Sequence, residues 1–89
     1  MPSYKLKILN EKGLHARASA KLVEVVEGFD ATAEIAKDGL SASGDSIMGL
    51  LMLAAPIGTT IDVLTSGPEA AALGDAIGQL VADKFGEEC

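Results

Sequence analysis

His15 is the single histidine of the chain, and Arg17 follows it by two positions. Imidazole is the side chain whose ordinary pKa leaves a nitrogen lone pair available near neutral pH. At the entry to a helix, such a ring lies beside backbone N–H groups that have no intrahelical acceptor. Those donors and the positive end of the helix dipole favour an anion, by roughly 0.3–1 kcal/mol from the dipole alone. The same field disfavours imidazolium, so the ring is expected to stay neutral and nucleophilic near pH 7. Arg17 offers charge-assisted hydrogen bonds to oxyanions, and Lys12 and Lys21 flank it. These are three of the seven basic residues in a chain of net charge −6. A nucleophilic nitrogen beside an anion cradle is what transient histidine phosphorylation requires. The plainer alternative is a surface histidine that only caps a helix, and spacing alone leaves both open.

Positioning that ring requires an element on each side of it. Tyr4, Leu6 and Ile8 alternate with Lys5 and Lys7, the pattern of a half-buried strand. From Leu14 the period changes, and Leu14, Ala18, Leu22, Val25, Val26 and Phe29 fall on one helical face. Gly28 suits a left-handed cap at the end of that helix. Thr32 to Lys37 alternates around Ala33 and Ile35, and Asp38-Gly39 signals a type I′ hairpin into a return strand, Leu40 to Ser43. Ser46 is the expected N-cap of a short helix over Ile47 to Ala55, stopped by Pro56. A fourth strand is expected from Thr60 to Thr65. Ser66 and Glu69 have capping-box spacing, with Pro68 in the first turn of a last helix carrying Leu73, Ile77, Leu80, Val81 and Phe85 and ending at Gly86. The order β-α-β-β-α-β-α predicts an α+β fold, a four-stranded, largely antiparallel sheet with helices on one face, in one domain over residues 1–89.

Composition narrows the function. Net charge −6 and a pI near 4.5 argue against a nucleic-acid backbone as partner, since that affinity comes from clustered Lys and Arg. The apolar-rich run from Ile47 to Gly58 is 12 residues and contains Pro56, short of the ~20 that a membrane span needs. No signal-like segment opens the chain, and the one cysteine, Cys89, has no internal partner, so a cytoplasmic protein is expected. Gly39 to Ser46 imitates a P-loop spacing, but Asp45 stands where the phosphate-binding lysine must be. Gly74 and Gly78 form a GxxxG within an amphipathic helix, without membrane meaning. One histidine and one distant cysteine do not indicate a metal site, and no cofactor is expected.

Gly13-Leu14-His15-Ala16-Arg17 resembles the active-site motif of the HPr family, the histidine phosphocarriers of the bacterial phosphoenolpyruvate-dependent phosphotransferase system. Ser46-Ile47-Met48-Gly49-Leu50-Leu51-Met52-Leu53 resembles the family's second signature. The resemblance runs from Tyr4 to about Phe85, and the element order is similar to the family's open-faced β-sandwich. It implies a carrier rather than an enzyme. On this resemblance His15 takes a phosphoryl group on Nδ1 from phosphorylated enzyme I and passes it to a histidine of an enzyme IIA. Arg17 and the backbone amides of Ala16, Arg17 and Ala18 would hold the phosphate. Ile47, Met48 and Leu51 would lie beside His15 and dock both partners, while Leu50 and Leu53 are expected in the core. An exposed apolar patch is expected in any case, because so short a helix cannot bury all its large side chains, and methionine suits several partners.

The chain departs from the family's pattern at Ala18, where proline usually follows His-Ala-Arg. Alanine restores an N–H that proline lacks, which is expected to strengthen the phosphate cradle or its cap. Ser46 is an N-cap by local chemistry; by resemblance it is also the serine that a dedicated HPr kinase/phosphorylase modifies in some members, although Asp45 replaces the lysine that often precedes it. Leu50 to Leu53 and Ser66 to Glu69 look closer to the nitrogen-related branch, and Ile47-Met48-Gly49 to the sugar-transport branch, with a slight lean to the former. Transient docking favours a monomer. Two rivals remain: a regulatory module of the same fold acting through Ser46 and partner binding without obligatory transfer, and an acylphosphatase-like hydrolase. The presence of His15 weighs against the first, and the absence of a glycine-rich loop leading to arginine in Asn10 to Leu14 weighs against the second.

Overall fold

The computed structural model describes residues 3–86. The alternating N-terminal segment is a strand, β1 (Ser3–Lys7), and the chain then turns into α1 (Ala16–Glu27). A hairpin of β2 (Thr32–Lys37) and β3 (Leu40–Ser43) follows, then α2 (Ile47–Leu53), β4 (Thr60–Ser66), α3 (Ala70–Ala82) and a 3-10 turn, Lys84–Gly86. The strands lie in the order β1-β4-β2-β3, and each pairing is antiparallel. β4 inserts between β1 and β2 with Val63 opposite both Tyr4 and Ile35, so β1 and β2 run parallel on its two sides.

Period-two alternation decides which sheet face is covered. Ala33, Ile35, Ile61, Val63 and Thr65 are buried beneath the helices, while Lys5, Glu34 and Leu64 stand on the exposed face. Leu22 and Val26 of α1, Leu50 and Leu53 of α2, and Leu73, Ile77 and Val81 of α3 close one hydrophobic cluster over the sheet. The sheet is therefore open on one side, as the sequence pattern predicts. Among the described residues, no helix is long and apolar enough to cross a membrane. A Cβ at Gly74 would overlap the Tyr4 ring, so this glycine lets α3 approach β1, whereas a Cβ at Gly78 would make only ordinary contact with Leu6.

The hairpin turn is as the sequence predicts, with φ of +51° at Asp38 and +83° at Gly39. Four helix ends differ from expectation. Gly28 is right-handed, with φ −79°, because the chain leaves α1 through a continued tight turn in which Gly28 N–H donates to Val25 and Phe29 N–H to Val26. α2 stops at Leu53, ahead of Pro56: Ala54 takes a left-handed conformation with φ +50°, and the Lys37 ammonium donates to the Leu53 carbonyl at 3.0 Å. The capping box does not form. Ser66 ends β4 with its hydroxyl 2.8 Å from that of Thr32, and Glu69 occupies the α3 N-cap while accepting from Asp30 N–H at 2.6 Å. Phe85 is buried but lies beyond α3, in a left-handed turn with φ +56° whose carbonyl accepts from Lys21 at 2.6 Å.

Candidate functional site

β1 and α1 are joined by a loop with little freedom. Gly13 N–H donates to the Asn10 carbonyl at 3.1 Å, the Asn10 side-chain amide donates to the Gly13 carbonyl at 2.8 Å, and His15 N–H reaches the same carbonyl at 3.0 Å. Leu14 N–H donates to the Ala55 carbonyl at 2.8 Å, which ties the loop to the segment leaving α2. Gly13 has φ +64°, and a Cβ there would run into the Ala55 carbonyl oxygen and lie 2.9 Å from Pro56 Cα. Only glycine meets both the backbone conformation and the close approach.

This loop delivers His15 to the N-cap of α1, with extended φ −89° and ψ −175°. Its Nδ1 accepts from Arg17 N–H at 3.3 Å. A ring nitrogen that accepts carries a lone pair, so this contact assigns the neutral ring its proton on Nε2. The ring is half-buried and Arg17 is exposed. The amides of Ala16, Arg17 and Ala18 are first-turn donors of the kind a helix leaves without an intrahelical acceptor. Ala18 presents its side chain to the core. Lys12 is exposed on the loop, whereas Lys21 is committed to the Phe85 carbonyl and does not belong to the cradle. The basic group at this end is thus Arg17 with Lys12.

The second signature folds as α2. Ser46 is its N-cap, with Oγ accepting from Gly49 N–H at 3.1 Å. Leu50 and Leu53 are buried, as expected, and α2 packs on α1. Ile47 is 40% exposed, Met48 71% and Met52 76%, while Leu51 is half-buried. The apolar surface therefore includes Met52, which sequence reasoning placed in the block without assigning it outward; its position one helical turn after Met48 was the available signal. Asn10 was also missed, though asparagine ahead of a glycine is a recognised turn-forming arrangement. A shallow groove of about 340 Å³ crosses the open sheet face between Thr32, Ser41, Ser43 and Leu64, and none of its lining residues belongs to the His15 loop or α2. Among the described residues no His, Cys, Asp and Glu cluster is arranged to hold a metal.

Comparison with known proteins finds relatives of the whole chain and of its fold. The family model described as the PTS HPr component phosphorylation site matches residues 2–83. The chain is 44% identical over 80 residues to the phosphocarrier protein HPr of Cupriavidus necator, covering 90% of each chain. It is 46% identical over 80 residues to the phosphocarrier protein NPr of Shewanella violacea, covering 90% of this chain and 88% of that one. Among solved structures, an HPr of Thermoanaerobacter tengcongensis superposes with a TM-score of 0.95 at 30% identity over the whole of both chains. An HPr of Bacillus anthracis superposes with a TM-score of 0.86 at 31% identity, covering 90% of this chain and 95% of that one. A histidine-capped helix beside an exposed apolar one, on this sheet and with these relatives, leads to one conclusion: the chain belongs to the HPr family of phosphocarriers of the phosphotransferase system.

Proposed function

We propose that this protein is a cytoplasmic phosphoryl carrier in which His15 Nδ1 takes a phosphoryl group from phosphorylated enzyme I and delivers it to an enzyme IIA. The observation that carries this reading is the bond from Arg17 N–H to Nδ1 at the α1 N-cap. It supports the tautomer with its lone pair on Nδ1, the nitrogen that attacks in this scheme. In the transfer, the Nδ1 lone pair forms the N–P bond as the bond from phosphorus to the donor breaks, and Nε2 keeps its proton. The Arg17 amide, released from Nδ1, then donates to a phosphoryl oxygen together with the amides of Ala16 and Ala18, and the Arg17 guanidinium offers charge-assisted hydrogen bonds. A half-buried ring at an N-cap, beside the exposed Arg17, suits a carrier that borrows the rest of its active site from each partner. No cofactor is needed, because the phosphoryl group arrives already activated on the donor.

Ile47, Met48 and Leu51, with Met52 beside them, supply the apolar surface for both partners. One surface used in turn by donor and acceptor is best served by a monomer, since a second copy there would block both. The test is intact mass after incubation with phosphoenolpyruvate and enzyme I. A single acid-labile phosphoryl adduct that is lost on adding an IIA supports the reading, and phosphate released without any acceptor would overturn it in favour of a hydrolase. Sugar-type and nitrogen-type IIA proteins, offered separately, assign the branch by which one discharges the adduct.

Two further residues follow from the same reading. Ala18→Pro removes a cradle donor at a position whose N–H has no intrahelical acceptor, so the fold is expected to persist. Phosphohistidine hydrolysis should be faster in this variant, and an unchanged rate would show that the Ala18 amide does not hold the phosphate. Ser46 is the proposed regulatory site, where phosphate would add about −1.5 to −2 charge at a helix N-terminus. With HPr kinase/phosphorylase, incorporation should vanish in Ser46→Ala, which also loses the cap to Gly49 at about 0.5–2 kcal/mol. Incorporation no greater in the wild type than in that variant would remove Ser46 from the scheme.

A further inference from the structure

We propose that Asn10 is a positioning residue for phosphoryl transfer at His15, an inference that rests on the carrier reading above. Asn10 is fully buried, an unusual place for an amide side chain. Its Nδ2 donates to the Gly13 carbonyl at 2.8 Å, and that carbonyl also accepts from His15 N–H at 3.0 Å. The Gly13 oxygen is therefore a node that joins Asn10 of the β1–α1 loop to the backbone of the N-cap residue. Gly13 itself is held at φ +64° against Ala55 and Pro56, and the peptide plane that carries its carbonyl is already held on the N–H side by the 2.8 Å bond from Leu14 to the Ala55 carbonyl. The Asn10 amide holds the oxygen side of that plane, so the two bonds together set the tilt of the carbonyl. Tilt of the Gly13 carbonyl carries His15 N–H with it and changes the approach of Nδ1 to Arg17 N–H, which at 3.3 Å is a long contact with little margin. Asn10 touches neither phosphate nor partner; it sets where the nucleophilic nitrogen stands.

A purely structural asparagine would affect stability alone, so the test must read the chemical step. Single-turnover phosphorylation by phospho-enzyme I is measured for the wild type, Asn10→Leu, which keeps the volume without the donor, and Asn10→Ala. Val63→Ala, in the sheet core on β4 and outside the loop, serves as a variant destabilised elsewhere. The saturating rate is expected to fall roughly tenfold in both Asn10 variants, within the ~100-fold that a 1 Å misplacement can cost. The half-saturating concentration should stay within about twofold, because the α2 surface is untouched, and Val63→Ala should keep the wild-type rate. Wild-type rates in both Asn10 variants, a loss confined to half-saturation, or an equal loss in Val63→Ala would each overturn the proposal. Hydrogen exchange covers the case in which the variants do not fold: the Asn10 side-chain amide of the wild type should be protected, and exchange at the rate of a free amide would overturn the proposal as well. Failure of the wild type to take up phosphate at all would instead overturn the carrier reading, and this inference with it.

Discussion

His15→Ala is expected to remain folded and to take up no phosphoryl group from enzyme I and phosphoenolpyruvate. The ring is half-buried at the surface of the N-cap and contributes nothing to the hydrophobic cluster, so its removal leaves the core intact. The structural loss includes the capping contact to Arg17 N–H, worth about 0.5–2 kcal/mol. The chemical loss is total, because His15 is the only imidazole in the sequence. Intact mass before and after acid treatment reads both the adduct and its lability, and circular dichroism reads the fold. An acid-stable adduct retained in His15→Ala would move the chemistry to a hydroxyl such as Ser46 and favour the regulatory rival.

Gly13→Ala should be the most damaging single methyl group in the site. A non-glycine residue at left-handed φ costs about 1–2 kcal/mol, and here the Cβ also meets the Ala55 carbonyl and Pro56 Cα, which are backbone and cannot rotate away. The loop must move off the end of α2, losing the 2.8 Å bond from Leu14 N–H to Ala55. A total loss of about 2–4 kcal/mol is expected, read as a lower denaturant midpoint with unchanged slope. Gly39→Ala is the matched comparison, because its φ of +83° carries the same backbone strain while a Cβ there meets nothing within 4 Å. It should lose only the strain, about 1–2 kcal/mol. Equal losses in the two variants would show that the approach of Gly13 to Ala55 is not what makes glycine necessary. Phosphorylation of the folded fraction of Gly13→Ala should also slow, since His15 follows Gly13 along the same strained loop.

Local periodicity made most of the elements legible. Alternation in Tyr4 to Ile8 and in Thr32 to Lys37, and the apolar face from Leu14 to Phe29, state their own secondary structure. Asp38-Gly39 names its turn because only a few residues tolerate two successive positive φ angles. The helix ends were less legible, since tertiary partners decide them. Ser66 and Glu69 have the spacing of a capping box, yet strand pairing claims the Ser66 hydroxyl for Thr32 and the Asp30 amide claims Glu69. Lys37 ends α2 from a different element, and Lys21 leaves the neighbourhood of His15 to hold the Phe85 carbonyl. No spacing rule encodes contacts between residues 16 and 64 positions apart.

The sequence by itself determined the composition of the site: one histidine, an arginine two residues on, a glycine two residues before, and a short apolar helix with more large side chains than it can bury. It also determined the His15 and Ser46 caps and the Asp38-Gly39 turn, because those preferences act within a few residues. Tertiary structure alone decided that β4 inserts between β1 and β2, that the His15 loop is bolted to Ala55, and that Asn10 is buried beneath Gly13. Those outcomes follow from satisfying buried backbone and amide groups across distant segments, a condition set by the whole packed chain and written in no short stretch of it.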